Sequence, residues 1–276
     1  MRVHVVSDVH GTADALARAG GADLLICLGD LLLFLDYDDP GQGVYAELYG
    51  EEYTRQYIAL RTARRFDEAR QLTRQLMATA GAGTAGAGTG GAGTAGAGPG
   101  GNLRASADGI IRRQYKELFE ALPEPAYLTY GNVDVPELWG EHLKPGHHVI
   151  DGGRVEVGGL AFGFAGAGLV SPYRTPNEIP EDAFRAKLDA ILADGPVDVL
   201  CTHIPPAVPE LLFDTVARRL ETGSAALLEM IKRVQPRYAF FGHVHQPLVR
   251  RVRIGRTECV NVGHFRATRV PFAVDL

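Results

Sequence analysis

Five apolar runs of strand length, scattered along the chain, stop at the same kind of side chain. Residues 2–6 run into Asp8 and His10, 23–28 into Gly29-Asp30, and 126–130 into Gly131-Asn132. Residues 197–202 run into His203, and 238–241 into Gly242-His243-Val244-His245. Helical patterns lie between them, over 12–19, 106–122, 181–193 and 224–234. Strands alternating with helices predict a largely parallel sheet, because parallel neighbours need a crossover of helix length. In such sheets, ligands collect beyond the carboxyl ends of the strands. The recurrence therefore restricts the chain to an α/β fold and places its polar run-ends where chemistry is found.

Asp8, His10, Asp30, Asn132, His203, His243 and His245 are oxygen or imidazole donors, the types that hold divalent transition ions. Each also has an ordinary structural use. Asp and Asn close turns through their side chains, and a histidine before Ile204-Pro205-Pro206 can sit bonded in a core. Four of the nine histidines stand at strand ends in the company of these acids, which favours the metal reading. Glycine precedes Asp30, Asn132 and His243, where it permits a tight turn and a close backbone approach.

Bulk properties exclude several other classes. The net charge of −5 supplies no broad basic field to hold nucleic acid by its phosphates, so no nucleic-acid partner is expected. Mean hydropathy is −0.04, and no apolar run approaches a membrane span. Cys27, Cys201 and Cys259 each lie inside an apolar run without a CxxC spacing, as core thiols do in a reducing compartment. The chain begins directly on a strand without a leader pattern, and the expected location is cytoplasmic.

Elsewhere the pattern changes. Apolar residues at three- and four-residue steps over 44–77 predict an amphipathic helix or helical pair. Residues 78–101 hold only Ala, Gly, Thr and one Pro, with about a third of the chain's 34 glycines. Nothing there offsets the entropy of ordering, so a disordered loop is expected inside a helical insertion over 42–122. Residues 148–150, 154–157 and 160–165, split by glycine pairs, predict a meander of hairpins. A further hairpin is expected around Gly255, and a last strand over 271–274.

Asp8-x-His10, Gly29-Asp30, Gly131-Asn132, His203 and Gly242-His243-x-His245 resemble the five signature blocks of the calcineurin-like metallophosphoesterase superfamily. The resemblance runs from residue 8 to 264. It implies a four-layer α/β/β/α sandwich of two mixed sheets flanked by helices, one domain over 1–276, built around two divalent metal ions. By the same resemblance Asp8, His10 and His245 hold one ion, Asn132, His203 and His243 the other, and Asp30 bridges them. Imidazole, carboxylate and amide without thiolate favour Mn²⁺, with Fe or Zn²⁺ as alternatives. The implied reaction is in-line attack on a small-molecule phosphoester by a hydroxide bridging the two ions.

The third block departs from the family. Many members carry a histidine after the asparagine, thought to protonate the leaving group or orient the phosphate, and here the residue is Val133. Asp134 is kept, and its expected role is support of the metal ligands. His264, after Gly263, is the candidate to replace the missing histidine as acid or phosphate contact. The Gly-Asn-x-Asp form resembles small prokaryotic phosphodiesterases of the superfamily, so small or activated phosphodiesters are the expected substrates. A phosphomonoesterase is the alternative, and a metal-free binding module on the same fold is the alternative of another class.

Overall fold

A computed structural model describes residues 1–82 and 99–276 of the chain. Contacts divide it into two compact units, Met1–Leu32 with Tyr115–Leu276, and Leu33–Gln114. The chain opens with β1 (Arg2–Val6), α1 (Ala13–Leu16) and β2 (Leu24–Cys27). Four helices follow: α2 (Val44–Tyr49), α3 (Glu51–Thr62), α4 (Phe66–Ala82) and α5 (Pro99–Ala121). Then come β3 (Ala126–Leu128), β4 (His147–Val149), β5 (Gly153–Val157), β6 (Leu160–Ala165), β7 (Gly168–Leu169), β8 (Glu178–Ile179) and α6 (Glu181–Ile191). Next are β9 (Val199–Thr202), α7 (Pro209–Leu212), β10 (Phe213–Asp214), β11 (Arg219–Leu220) and α8 (Ala225–Val234). The chain closes with β12 (Tyr238–Phe241), β13 (Arg251–Ile254), β14 (Thr257–Asn261), α9 (Phe265–Thr268) and β15 (Phe272–Asp275).

The first unit is built on two mixed sheets, ordered β15-β1-β2-β3-β4 and β13-β14-β12-β9-β6-β5. Strands β1 to β4 are parallel, with β15 antiparallel on the edge. In the other sheet β14, β12, β9 and β6 are parallel, and antiparallel β13 and β5 close its two edges. Side-chain alternation explains why the sheets stack. Val3, Val5, Leu24 and Ile26 of the first sheet share one core with Phe162, Phe164, Val199, Cys201, Phe240 and Val260 of the second. The intervening residues of the second sheet, Leu200, Ala239 and Phe241, point the other way, against Phe184, Leu188 and Ile191 of α6 and Leu227, Met230 and Ile231 of α8. On the outer face of the first sheet, the His4 Nδ1–H donates to the Ala19 carbonyl just after α1 (2.8 Å). The layers are thus α/β/β/α.

Two local expectations change. The meander expected over 148–165 is not one: β4 pairs in parallel with β3, His147 opposite Ala126, and only β5 and β6 form a hairpin. The turn at Gly152, with φ of +70°, carries the chain from one sheet to the other. Periodicity locates a strand but carries no information about its partner. In the second unit, the pattern over 44–77 resolves into three helices. Gly50 (φ +83°) separates α2 from α3, and Arg64 in the left-handed region ends α3. There the Tyr45 ring stacks on Tyr57 with centroids 4.3 Å apart, and its hydroxyl bonds that of Thr73 (2.8 Å). Of the Ala/Gly/Thr-rich stretch 78–101, residues 83–98 lie outside the described residues. Among the described residues, no helix is long and apolar enough to cross a membrane.

Candidate metal centre

Parallel strands deliver their carboxyl ends to one edge, and backbone bonds weld those ends together. Asp8 N–H donates to Gly29 O (3.1 Å), His10 N–H to Asp30 O (3.0 Å) and Gly242 N–H to His203 O (3.0 Å). The two sheets are joined here as well, since His243 N–H donates to Asp8 Oδ2 (3.0 Å) and Phe265 N–H to Ser7 O (3.0 Å). The glycines before the candidate ligands explain how strands come so close. A Cβ on Gly242 would lie 1.9 Å from Ser7 Oγ, and one on Gly131 would lie 2.0 Å from Asp30 Oδ1. Asp8, His10, Asp30 and His243 hold φ values of +57°, +42°, +54° and +67°. That conformation is uncommon outside glycine and costs on the order of 1–3 kcal/mol at each residue, a strain that marks functional sites.

All seven side chains named from the sequence meet at this edge. Nε2 of His10 lies 3.9 Å from Asp8 Oδ1, 3.9 Å from Asp30 Oδ2 and 3.3 Å from Nε2 of His245. Nε2 of His203 lies 3.5 Å from Asp30 Oδ2 and 2.9 Å from Asn132 Oδ1, and Nδ1 of His243 faces the same amide oxygen at 2.9 Å. Potential donor atoms of Asp8, Asp30 and His203 all fall within 4.8 Å of one another.

Hydrogen bonding decides which nitrogens are available. The Nδ1–H of His10 donates to Leu32 O (2.9 Å) and that of His203 to Leu28 O (3.0 Å). A carbonyl only accepts, so in the neutral rings the proton sits on Nδ1 and the Nε2 lone pair points into the cluster. Burial pulls His10, His203 and His243 down to about 4 against the opposing effect of the Asp8 carboxylate, which leaves these imidazoles neutral. Burial and the adjacent Asp8 and Asp134 hold Asp30 well above the ordinary carboxyl range. Burial also pushes Asp8 upward, but the close approach of His245 and the imidazole charges outweigh it, and Asp8 sits well below that range.

The donor set fits a pair of divalent cations. Asp8 and Asp30 are buried side by side, and the near neighbours of Asp8 Oδ1 are the imidazole nitrogens of His245 (3.3 Å) and His10. The lone pair of His203 Nε2 faces the oxygen of Asn132 at hydrogen-bond distance, an acceptor against an acceptor. Buried like charges and opposed lone pairs are costly alone, and cations between them remove the cost.

Two further candidates occupy different positions. Asp134 touches none of this directly. Its carboxylate accepts from the backbone N–H groups of Asp30 (2.8 Å), Gly131 (2.8 Å) and Leu31 (3.0 Å), tying the second block to the third. His264 stacks on His245, with centroids 3.9 Å apart and planes 12° apart, and lies 5.7 Å from the His10 ring. Donor nitrogens of His10, His245 and His264 all fall within 4.8 Å of one another, but the near-parallel stack keeps the in-plane lone pairs of His245 and His264 from both aiming squarely at one ion. Its Nε2 is buried and has no hydrogen-bond partner among the described residues. Sequence reading missed Asn261, whose side-chain N–H groups donate to Gly242 O (3.2 Å) and Val244 O (3.0 Å) and brace the histidine turn. Its one signal was a polar residue at the end of an apolar strand.

A layered α/β/β/α body with buried carboxylates and imidazoles at one sheet edge is the scaffold of a metal-dependent hydrolase. Residues 101–247, just over half of the chain, match the family model described as calcineurin-like phosphoesterase, and the chain belongs to that family. Its members are metal-dependent phosphoester hydrolases that work with a dinuclear metal centre. The match contains Asn132, His203, His243 and His245, whereas Asp8, His10 and Asp30 precede it and are joined to them by the fold. No curated protein matches the chain.

Proposed function

We propose that the protein is a phosphodiesterase acting on small or activated phosphodiesters. In this reading Asp8, His10 and His245 hold one ion, Asn132, His203 and His243 hold the second, and Asp30 lies between them. The observation that carries it is the pair of fixed tautomers, which turns the Nε2 lone pairs of His10 and His203 toward two buried carboxylates. Bound divalent ions supply charge to neutralise phosphoryl oxygens and to activate water near neutral pH. The neutral amide of Asn132 keeps the negative charge of the donor set low. Imidazole and oxygen donors without thiolate favour Mn²⁺, Fe or Zn²⁺ over Ca²⁺, and Mn²⁺ is the ion proposed.

The preference for diesters rests on the resemblance of Gly131-Asn132-Val133-Asp134 to small prokaryotic phosphodiesterases of the superfamily, and the preference for activated esters on the valine in that block. Val133 carries no proton to give a leaving group, and general-acid help is worth roughly 10²–10⁴ in rate. His264 is the residue we assign to part of that role: burial pulls its imidazole down to about 3, so near neutral pH it would act as a neutral hydrogen-bond partner of the phosphate or leaving oxygen. The test is metal analysis, followed by paired assays on a bis-aryl diester and an aryl monoester with Mn²⁺ present. About two ions per chain and faster diester cleavage are expected. A strong monoester preference overturns the substrate class, and a chain that stays ion-free overturns the catalytic reading. His264→Ala should slow esters of poor leaving groups more than good ones; equal loss on both removes its role.

A further inference from the structure

The loop between β7 and β8 makes contacts that the reaction as described does not use. Asn132 Nδ2 donates to Thr175 Oγ1 (3.1 Å). The Thr175 hydroxyl itself donates to Glu178 Oε1 (2.7 Å), so its oxygen is left as an acceptor. Glu178 has no freedom to do otherwise. Its carboxylate also accepts from Thr175 N–H (3.0 Å), Ser171 N–H (2.8 Å) and the Ser171 hydroxyl (2.7 Å). Four donors on one carboxylate fix it as an acceptor, and the polarity of the chain from Glu178 to Asn132 is thereby set.

The backbone of the third block is gripped from the same loop. Asn177 N–H donates to Asn132 O (2.9 Å), and Asn177 Nδ2 donates to Gly131 O (2.9 Å). Gly168 closes the remaining side, since a Cβ there would lie 2.5 Å from the Cβ of Asn132.

We propose that Thr175, held by Glu178, is a positioning residue that decides which end of the Asn132 amide faces the ions. The inference rests on the reading of Asn132 as a ligand. An amide can turn over with little change of shape, and its two ends are opposite in chemistry: the oxygen binds a cation and the NH₂ group repels one. With Thr175 accepting, the NH₂ is drawn outward and Oδ1 stays toward His203 and His243. Outer hydrogen bonds of this kind typically change metal affinity by roughly tenfold to a hundredfold.

The experiment is equilibrium dialysis of chelator-stripped protein against buffered Mn²⁺, with bound metal counted by mass spectrometry. Wild type should bind about two ions. Thr175→Val, which keeps the shape and loses the acceptor, should keep one ion and bind the other roughly ten- to a hundredfold more weakly. Thr175→Ser should restore wild-type binding, and Glu178→Gln should weaken the same ion. Thermal melts of the ion-free variants separate this effect from misfolding. If Thr175→Val does not fold, Glu178→Gln and Thr175→Ser carry the comparison. Two ions held at wild-type affinity by Thr175→Val, or by Glu178→Gln in its place, overturn the relay and leave the ligand reading standing. Failure of Thr175→Ser to bind like wild type also overturns the relay. Wild type that takes up no Mn²⁺ overturns both.

Discussion

Replacing Asp134 measures how much of the site is held by backbone bonds and not by metal. The side chain is fully buried, and Asp134→Ala orphans three N–H donors, those of Asp30, Leu31 and Gly131, besides removing a long bond from the Tyr115 hydroxyl (3.4 Å). A buried donor left unpaired costs about 1–3 kcal/mol, so the simple sum is roughly 3–9 kcal/mol. Water entering the space of the lost carboxyl would satisfy one or two donors and move the loss toward the lower end. A typical domain has only about 5–15 kcal/mol of stability in total, so even that lower end is a large loss. Asp134→Asn divides the effect. Oδ2 receives the bonds from Asp30 and Gly131, and Oδ1 the N–H of Leu31 and, at 3.4 Å, the Tyr115 hydroxyl, which can turn to accept instead. An amide with its oxygen at the Oδ2 position keeps two donors and opposes NH₂ to one, for a loss of about 1–3 kcal/mol. Urea unfolding in the presence of a chelator, with all three proteins compared, reads these losses without any contribution from bound ions. An Asp134→Ala loss below about 1 kcal/mol, or equal losses for Ala and Asn, would refute the bond accounting.

Two further outcomes follow from the packing. Gly242→Ala places a methyl 1.9 Å from Ser7 Oγ and 2.4 Å from Asp8 Oδ2, and it should cost at least about 1–3 kcal/mol and weaken ion uptake. Unchanged melting and unchanged Mn²⁺ stoichiometry would show that the two strand ends are free to part. Burial raises the thiols of Cys27 and Cys259 to about 12 and raises Cys201 as well, so none is a thiolate at pH 8. A thiol-reactive dye should report no fast thiol until urea is added. The raised values also mean that the folded chain keeps protons the unfolded chain loses, so stability from these groups declines as pH rises above about 9. A rapid native reaction at pH 8, or alkaline stabilisation traced to these thiols by Cys→Ser variants, would contradict that sign.

Much of the site was legible in the chain because its signals are local. A short apolar run ending in Gly-Asp, Gly-Asn or Gly-His states both a strand and the chemistry at its end, and the seven named side chains do meet at one sheet edge. Partner choice was not legible. Nothing in 147–149 distinguishes pairing with β3 from pairing with β5, because alternation has the same period whichever neighbour a strand takes. The two-residue strands β10 and β11 were invisible for a related reason, being too short to show any period.

The sequence alone determined which donor types this protein owns, that they stand at the ends of strands, and that the residue after Asn132 is a valine. Tertiary structure decided the rest: which imidazole nitrogen is free, which end of Asn132 faces inward, and that His264 stacks on His245. The physical reason is that a protonation site or an amide orientation is set by the partner across a hydrogen bond. Those partners, Leu28, Leu32 and Thr175, lie from 22 to 175 residues away along the chain.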